Sequence, residues 1–241
     1  MRPRERIERA HWIPPWLRHQ HEARYAWAAA RAAGVSVLDC ASGNAYGSRT
    51  LVDAGAARVC ALDLSIEAIH EAQLLHGAPR LGLALADGAR IPAADGAFDL
   101  FVSFETVEHV ADDAAYVAEA RRVVRRGGTF LCSTPNRRLT NPGTAIGDKP
   151  FNPFHLREYT LPELRRLLGT AFETIEWLGQ SIFAGAYARA LNALGRRVPS
   201  AAVRLHQLRK LAGAAFDSRR RHWPQPLPPH GEVEVLIAVC R

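Results

Sequence analysis

Short apolar runs alternate with longer amphipathic ones along most of this chain. Residues 35–39, 58–63, 81–86, 98–104 and 129–134 are brief and almost continuously apolar, the pattern of strands covered by helices on both faces. Between them, residues 46–54, 66–75 and 112–126 read as helices, with Ser65 a cap for the second and Gly127-Gly128 a stop for the third. Two further strands are predicted at residues 172–178 and 232–240. The second alternates, placing Val233, Val235, Ile237 and Val239 on one face, which suits an antiparallel neighbour. Repeated strand–helix–strand units predict an α/β fold with a mostly parallel sheet of seven strands and an antiparallel last strand.

Three regions fall outside this alternation. Residues 1–33 read as a helical cap, residues 137–157 as a loop rich in Pro, Gly and Asn over a substrate, and residues 181–222 as a basic helical insertion between strands six and seven. A chain of 241 residues with 48% hydrophobic content buries one substantial core, so residues 1–241 are expected to form a single catalytic domain. No run approaches the eighteen or so apolar residues of a membrane span, and the start leads into no apolar signal segment. A cytoplasmic, soluble protein is expected. Cys40, Cys60, Cys132 and Cys240 stand singly in or beside strands, where cysteine acts as a small hydrophobe, so neither a disulfide framework nor a zinc site is expected.

The net charge of +7 is lopsided, because residues 181–222 hold nine basic residues against Asp217 alone. Such a surface attracts nucleic acid, an anionic glycan or a membrane. The same segment is poor in aromatic residues that stack on bases, Tyr187 and Phe216 being nearly alone, which disfavours nucleic acid relative to a small-molecule or glycan acceptor.

The chemistry concentrates at the ends of the strands. Residues 37–47 run from a strand through a turn of small residues, Ala41-Ser42-Gly43, into a helix opened by Tyr46 and Gly47. Such turns bring backbone close to a ligand at the carboxyl edge of a parallel sheet. Asp39, Asp63 and Asp87 close three successive strands. The spacing is not that of a dinucleotide fingerprint, and no glycine or basic cluster waits for a pyrophosphate, so the three carboxylates point to an adenosine without phosphates.

On these residues the chain resembles the class I S-adenosylmethionine-dependent methyltransferases, and looks most like members with D-x-A-C-G-x-G-Y-G, here Asp39 to Gly47, followed by Asp63-Leu64-Ser65. The resemblance implies a Rossmann-like fold and S-adenosyl-L-methionine as cofactor. It implies cofactor contacts from Arg24 and Tyr25 of the leading helix, with His21 beside them, and from Asp39, Ala41, Ser42, Gly43, Tyr46, Gly47, Asp63, Leu64, Asp87, Gly88, Ala89 and Phe104. The chain departs from the pattern at Ala45, where the family's second motif glycine stands. A positive φ there would add strain on the order of 1 kcal/mol.

Glu105, Glu108 and His109 follow the fourth strand, and on a helix their spacing would place them on one face. This run, with Thr134-Pro135-Asn136 and then His155-Leu156-Arg157-Glu158-Tyr159-Thr160, resembles the metal-binding signature of ubiquinone-pathway O-methyltransferases and of small-RNA 3′-terminal 2′-O-methyltransferases. It implies Glu105, Glu108, His109 and His155 as ligands for Mg²⁺ or another divalent metal. The Asn152-Pro153-Phe154-His155 segment is also similar to one in bacterial methyltransferases of sugar and polysaccharide pathways, and a metal-free site would use His109 or His155 as general base. The expected activity is methyl transfer to a hydroxyl of a small molecule or glycan. RNA 2′-O-methylation, N-methylation of an amino sugar and cofactor binding without methyl transfer stand as alternatives. The acceptor and the oligomeric state are not written in the sequence.

Overall fold

The computed structural model describes residues 15–214 and 222–241. Five parallel strands, β1 (Ser36–Cys40), β2 (Arg58–Asp63), β3 (Leu81–Leu85), β4 (Phe98–Phe104) and β5 (Val124–Pro135), are joined by β6 (Ile175–Ala184), β7 (Gln225–Pro226) and β8 (Gly231–Cys240). They form one sheet in the order β3-β2-β1-β4-β5-β8-β6-β7. β8 runs antiparallel to both β5 and β6. The sheet is therefore Rossmann-like and mixed, with eight strands rather than seven. The additional strand, β7, is a two-residue edge pairing of Gln225 and Pro226 with β6, too short to leave a periodic signal.

Helices α1 (Pro15–Ala29), α2 (Tyr46–Asp53), α3 (Ile66–His76), α4 (Asp113–Val123), α5 (Arg137–Thr140), α6 (Leu161–Leu168), α7 (Gly185–Gly195) and α8 (Pro199–Ala214) complete the described chain. Leu38, Phe101, Phe130 and Ala238 face one core layer with Val117, Leu164 and Leu168 of α4 and α6. Val37, Leu100, Val102 and Leu131 face the other, with Trp27, Ala28, Leu51 and Val52 of α1 and α2. Burial on both faces explains why the central strands are apolar almost without interruption. Ser65 caps α3 as expected, its side chain accepting from the Ala68 N–H.

Three boundaries differ from the sequence expectation. Helix α4 ends at Val123, not Arg126, because Val124 pairs with Phe98 and starts β5; the register then shifts before Leu100 meets Thr129. Gly127 turns that bulge at φ +75°, and a Cβ on Gly128 would lie 2.8 Å from the Asp99 carbonyl oxygen, so the glycines shape a strand irregularity rather than stopping a helix. Strand β6 runs on to Ala184, displacing the start of the helical insertion. The expected loop over residues 137–157 opens with the short helix α5, capped by the Asn136 side chain. The segments at residues 1–14 and 215–221, including Arg219, Arg220 and Arg221, lie outside the described residues. No helix among the described residues is long and apolar enough to cross a membrane.

Candidate functional site

The strand order reverses at β1, flanked by β2 and β4, and open α/β sheets form their ligand crevice at such a switch point. A cavity of about 1010 Å³ lies there, lined by the turns after β1, β2, β3 and β4, by residues 151–156 and by the inner sides of α1 and α8. That volume is at the upper end of the range for small-molecule sites, roughly 300–1,000 Å³.

The turn after β1 is built for close approach. Ala41, Gly43 and Ala45 all take positive φ, 58°, 58° and 65°, curling the backbone toward the cavity. Ala45 is fully buried with its methyl among Ala61 and Ala72, so part of the cost of its left-handed backbone is offset by packing. Asp63 grips the turn: one carboxylate oxygen accepts from the Gly43 N–H at 3.0 Å, the other from the Ser65 N–H at 2.8 Å. Asp87 is exposed at the end of β3 and accepts from the Ala89 N–H at 2.9 Å.

Asp39 supports this turn from behind. It is fully buried and outside the cavity lining, and it accepts from the Ser48 hydroxyl at 2.6 Å and the Tyr25 hydroxyl at 3.0 Å. Burial pushes its carboxyl up to about 7, against the pull of those two donors. Tyr25 can reach it because position 47 is glycine; a Cβ there would stand 2.2 Å from the Tyr25 ring. Gly88 does the same for Tyr116 and Cys40.

Of the residues expected at the cofactor, Tyr25, Ala41, Ser42, Gly43, Tyr46, Asp63, Leu64, Asp87, Gly88 and Phe104 line the cavity, as does His21. Arg24, Asp39, Gly47 and Ala89 do not line it. Arg24 is fully buried, donating to the Gln180 side chain at 2.7 Å and lying 3.8 Å from the Glu105 carboxylate.

The turn after β4 is irregular. Glu105 sits in the left-handed region at φ 54°, and only a single 3₁₀ turn, Val107–His109, follows. No helix face therefore unites Glu105 with Glu108 and His109. Glu105 swings toward Arg24 and takes the Ser133 hydroxyl at 2.7 Å. Glu108, His109 and His155 do converge, each offering one donor atom within 4.8 Å of the others. Glu108 is fully buried; one oxygen accepts from the Thr134 hydroxyl at 2.8 Å, and the other has no hydrogen-bond partner. Burial, reinforced by the charge of Glu105, pushes its carboxyl up to about 8, with His155 opposing the shift.

Both imidazoles are oriented through Nδ1. That of His109 lies 3.1 Å from the Phe154 carbonyl oxygen, and that of His155 lies 2.6 Å from the Glu158 carboxylate. A carbonyl and a carboxylate can only accept, so each ring carries its proton on Nδ1 and presents Nε2 as the acceptor. The rings meet edge to face at 4.7 Å. Asn152 donates to Nε2 of His155 at 2.9 Å. Glu158, buried, also accepts from the Thr140 hydroxyl and the Asn141 amide.

Glu158, Thr134 and Asn152 belong to this site; the sequence reading quoted them within its motifs but gave them no role of their own. Asn152 and Glu158 flank His155 at three residues on either side, a spacing that could have pointed to them. Trp16, Gln20, Gln207, Lys210 and Glu234 line the opposite wall, where Lys210 pairs with Glu234 and lies 3.6 Å over the Trp16 ring. No local pattern signals that wall.

A model of a methyltransferase domain matches residues 38–132. A protein of Mycolicibacterium smegmatis named "Probable S-adenosylmethionine-dependent methyltransferase" is 37% identical over 205 residues, which are 85% of this chain and 75% of that protein. A ubiquinone biosynthesis O-methyltransferase of Cereibacter sphaeroides is 34% identical over 117 residues, 47% of this chain and 46% of its own length. Among solved structures, the Haloferax volcanii complex of the Trm112 methyltransferase activator with a methyltransferase superposes with a TM-score of 0.61 at 20% identity, covering 92% of this chain and 89% of that one.

Proposed function

This chain belongs to the S-adenosylmethionine-dependent methyltransferases, and from that premise we propose that it methylates a hydroxyl held against Glu108, His109 and His155. The observation that carries the reading is the convergence of those three side chains within 4.8 Å on the wall of the cofactor cavity.

The residues present fit the cofactor. The left-handed turn at Ala41, Gly43 and Ala45 opens backbone to the cavity, while Asp63 and Asp87 keep lone pairs for ribose hydroxyls and the adenine amino group. Tyr25 and Phe104, packed edge to face at 5.2 Å, wall the side toward Glu105. When bound, the cofactor supplies an electrophilic methyl group on a sulfonium sulfur.

Methyl transfer is an in-line displacement, so the enzyme's task is alignment and proton removal. The cofactor would supply its methyl group to the acceptor oxygen, and Nε2 of His109 would take the hydroxyl proton. His109 suits this role because the Phe154 carbonyl fixes its tautomer and its ring lies on the cavity wall. When ionised, Glu108 favours the imidazolium that results.

The same donors fit a divalent cation. Two imidazoles anchored through Nδ1 by a carbonyl and a carboxylate, beside a buried carboxylate oxygen lacking a partner, match the way metal ligands are usually held. Glu108, His109 and His155 would hold the ion, which would bind the acceptor oxygen and lower its pKa. Glu105, turned toward Arg24, is outside this set.

Two measurements test the reading. His109→Ala should lose methyl transfer to catechols and vicinal diols by about 10²–10⁴-fold while binding S-adenosylhomocysteine within about twofold of the parent; full activity would overturn it. Calorimetric titration of Mn²⁺ into protein saturated with S-adenosylhomocysteine, against a His155→Ala control, decides between the metal-assisted and base-only forms.

A further inference from the structure

Helix α8 has two working faces. Val203, Gln207 and Lys210, spaced to lie on one side, line the cavity. His206 and Lys210 turn toward the buried carboxylate of Glu234 on β8, which also accepts from Gln20 of α1. This attachment fixes which side of the helix faces outward. On the outward side Leu205, Leu208 and Leu211 are 47%, 63% and 51% exposed, an apolar stripe that no described residue covers.

Basic residues frame the stripe. Arg204 and Arg209 are exposed on α8, and Arg196, Arg197 and Val198 are exposed in the turn that leads into it. From Gly185 to Ala214 the chain contains no acidic residue. A helix with leucines on its free face, arginines beside them and no acidic residue of its own is built for the interface of an anionic bilayer, where apolar burial and attraction to lipid headgroups add. A second copy of this surface would bring arginine against arginine, and a nucleic acid would leave the leucines unused.

We propose that the outer face of α8, with the turn before it, docks on an anionic phospholipid surface. The other face of the same helix walls the cavity, so docking sets the reaction space within about one helix diameter, ~10 Å, of the lipid. Acceptors that partition into membranes would then reach the cavity without crossing bulk water.

The test is flotation of the full chain with vesicles of phosphatidylcholine alone or mixed with phosphatidylglycerol, comparing the parent, Leu205→Ser/Leu208→Ser and Arg196→Gln/Arg197→Gln. None of the four residues lines the cavity, and calorimetric binding of S-adenosylhomocysteine confirms that each variant is folded. The expected result is binding only to vesicles containing phosphatidylglycerol, weakened roughly 25-fold by loss of the two arginines at roughly fivefold each, and at least about tenfold by loss of the leucines. Equal binding by the leucine variant would overturn the proposal, leaving generic attraction to polyanions. So would failure of the parent to float, or a parent dimer that the leucine variant converts to monomer.

Discussion

Two fully buried carboxylates, Asp39 in β1 and Glu108 in the turn after the adjacent β4, meet different surroundings. Asp39 is served by two hydroxyl donors and stands behind the cavity. Glu108 has one hydroxyl donor, keeps one oxygen without a partner and lines the cavity beside two histidines. Burial raises both, to about 7 and about 8. The same physical cost secures a turn in one place and, on the proposed function, holds a reactive group ready in the other. A buried acceptor with no donor is tolerated chiefly where function needs it.

Removing each carboxylate should sharpen the contrast. Glu108→Gln is expected to reduce turnover by at least about 10²-fold, with little change in thermal midpoint, measured by methyl transfer and by melting of the same preparation. Asp39→Ala should do the reverse in kind. It leaves the Tyr25 and Ser48 hydroxyls without their acceptor at a cost of about 1–3 kcal/mol each. The melting temperature should fall by roughly 5–15 °C, and affinity for S-adenosylhomocysteine should fall with it.

Gly47→Ala attacks the same support from the other side. The new methyl would overlap the Tyr25 ring, so Tyr25 must leave Asp39. Calorimetry should show S-adenosylhomocysteine binding weakened by about tenfold or more, at a cost like that of one broken buried hydrogen bond.

Acidity offers a gentler probe. Because the folded-state pKa of Asp39 is raised to about 7, above an unfolded value of about 3.9, the native state binds the extra proton. Its contribution to stability is fully present below about pH 4 and is lost as pH rises toward about 7. Asp39→Asn should flatten the dependence of melting temperature on pH across that window. An unchanged slope would show that the carboxyl is ionised throughout.

The smallest effect is expected at Ala45. Glycine would relieve its φ of 65° but would lose the methyl packed against Ala61 and Ala72. The two terms are each about 1 kcal/mol and opposed, so Ala45→Gly should shift the melting temperature by less than about 3 °C. Cofactor affinity should stay within about twofold, since Ala45 does not line the cavity.

The same contrast marks how far the sequence can be read. Asp39, Asp63 and Asp87 were legible because each closes an apolar run, and burial on both faces makes such runs conspicuous. Glu108, His109 and His155 were legible as a group through their motif, which also set Glu105 among them, as helical spacing would. One left-handed residue broke that spacing and sent Glu105 to Arg24. Thr134, which donates to Glu108, and the Lys210–Glu234 pair on the far wall depend on contacts between distant segments, which no local period encodes. The two-residue β7 and the bulge at Gly127 escaped for the opposite reason: they are too short to have a period at all.

The strand order also constrains how the molecule comes into being. β8 is translated after β6 yet lies between β5 and β6, pairing with both. As the chain leaves the ribosome, β1 to β5 can assemble while β6 has no hydrogen-bonded partner in that sheet. Only the arrival of β8, carrying Glu234, joins β6 to β5 and supplies the carboxylate to which α1 and α8 attach. The wall of the cavity is thus among the later parts to form, and a nascent chain that stops short of β8 has the cofactor turn but no enclosed place for an acceptor.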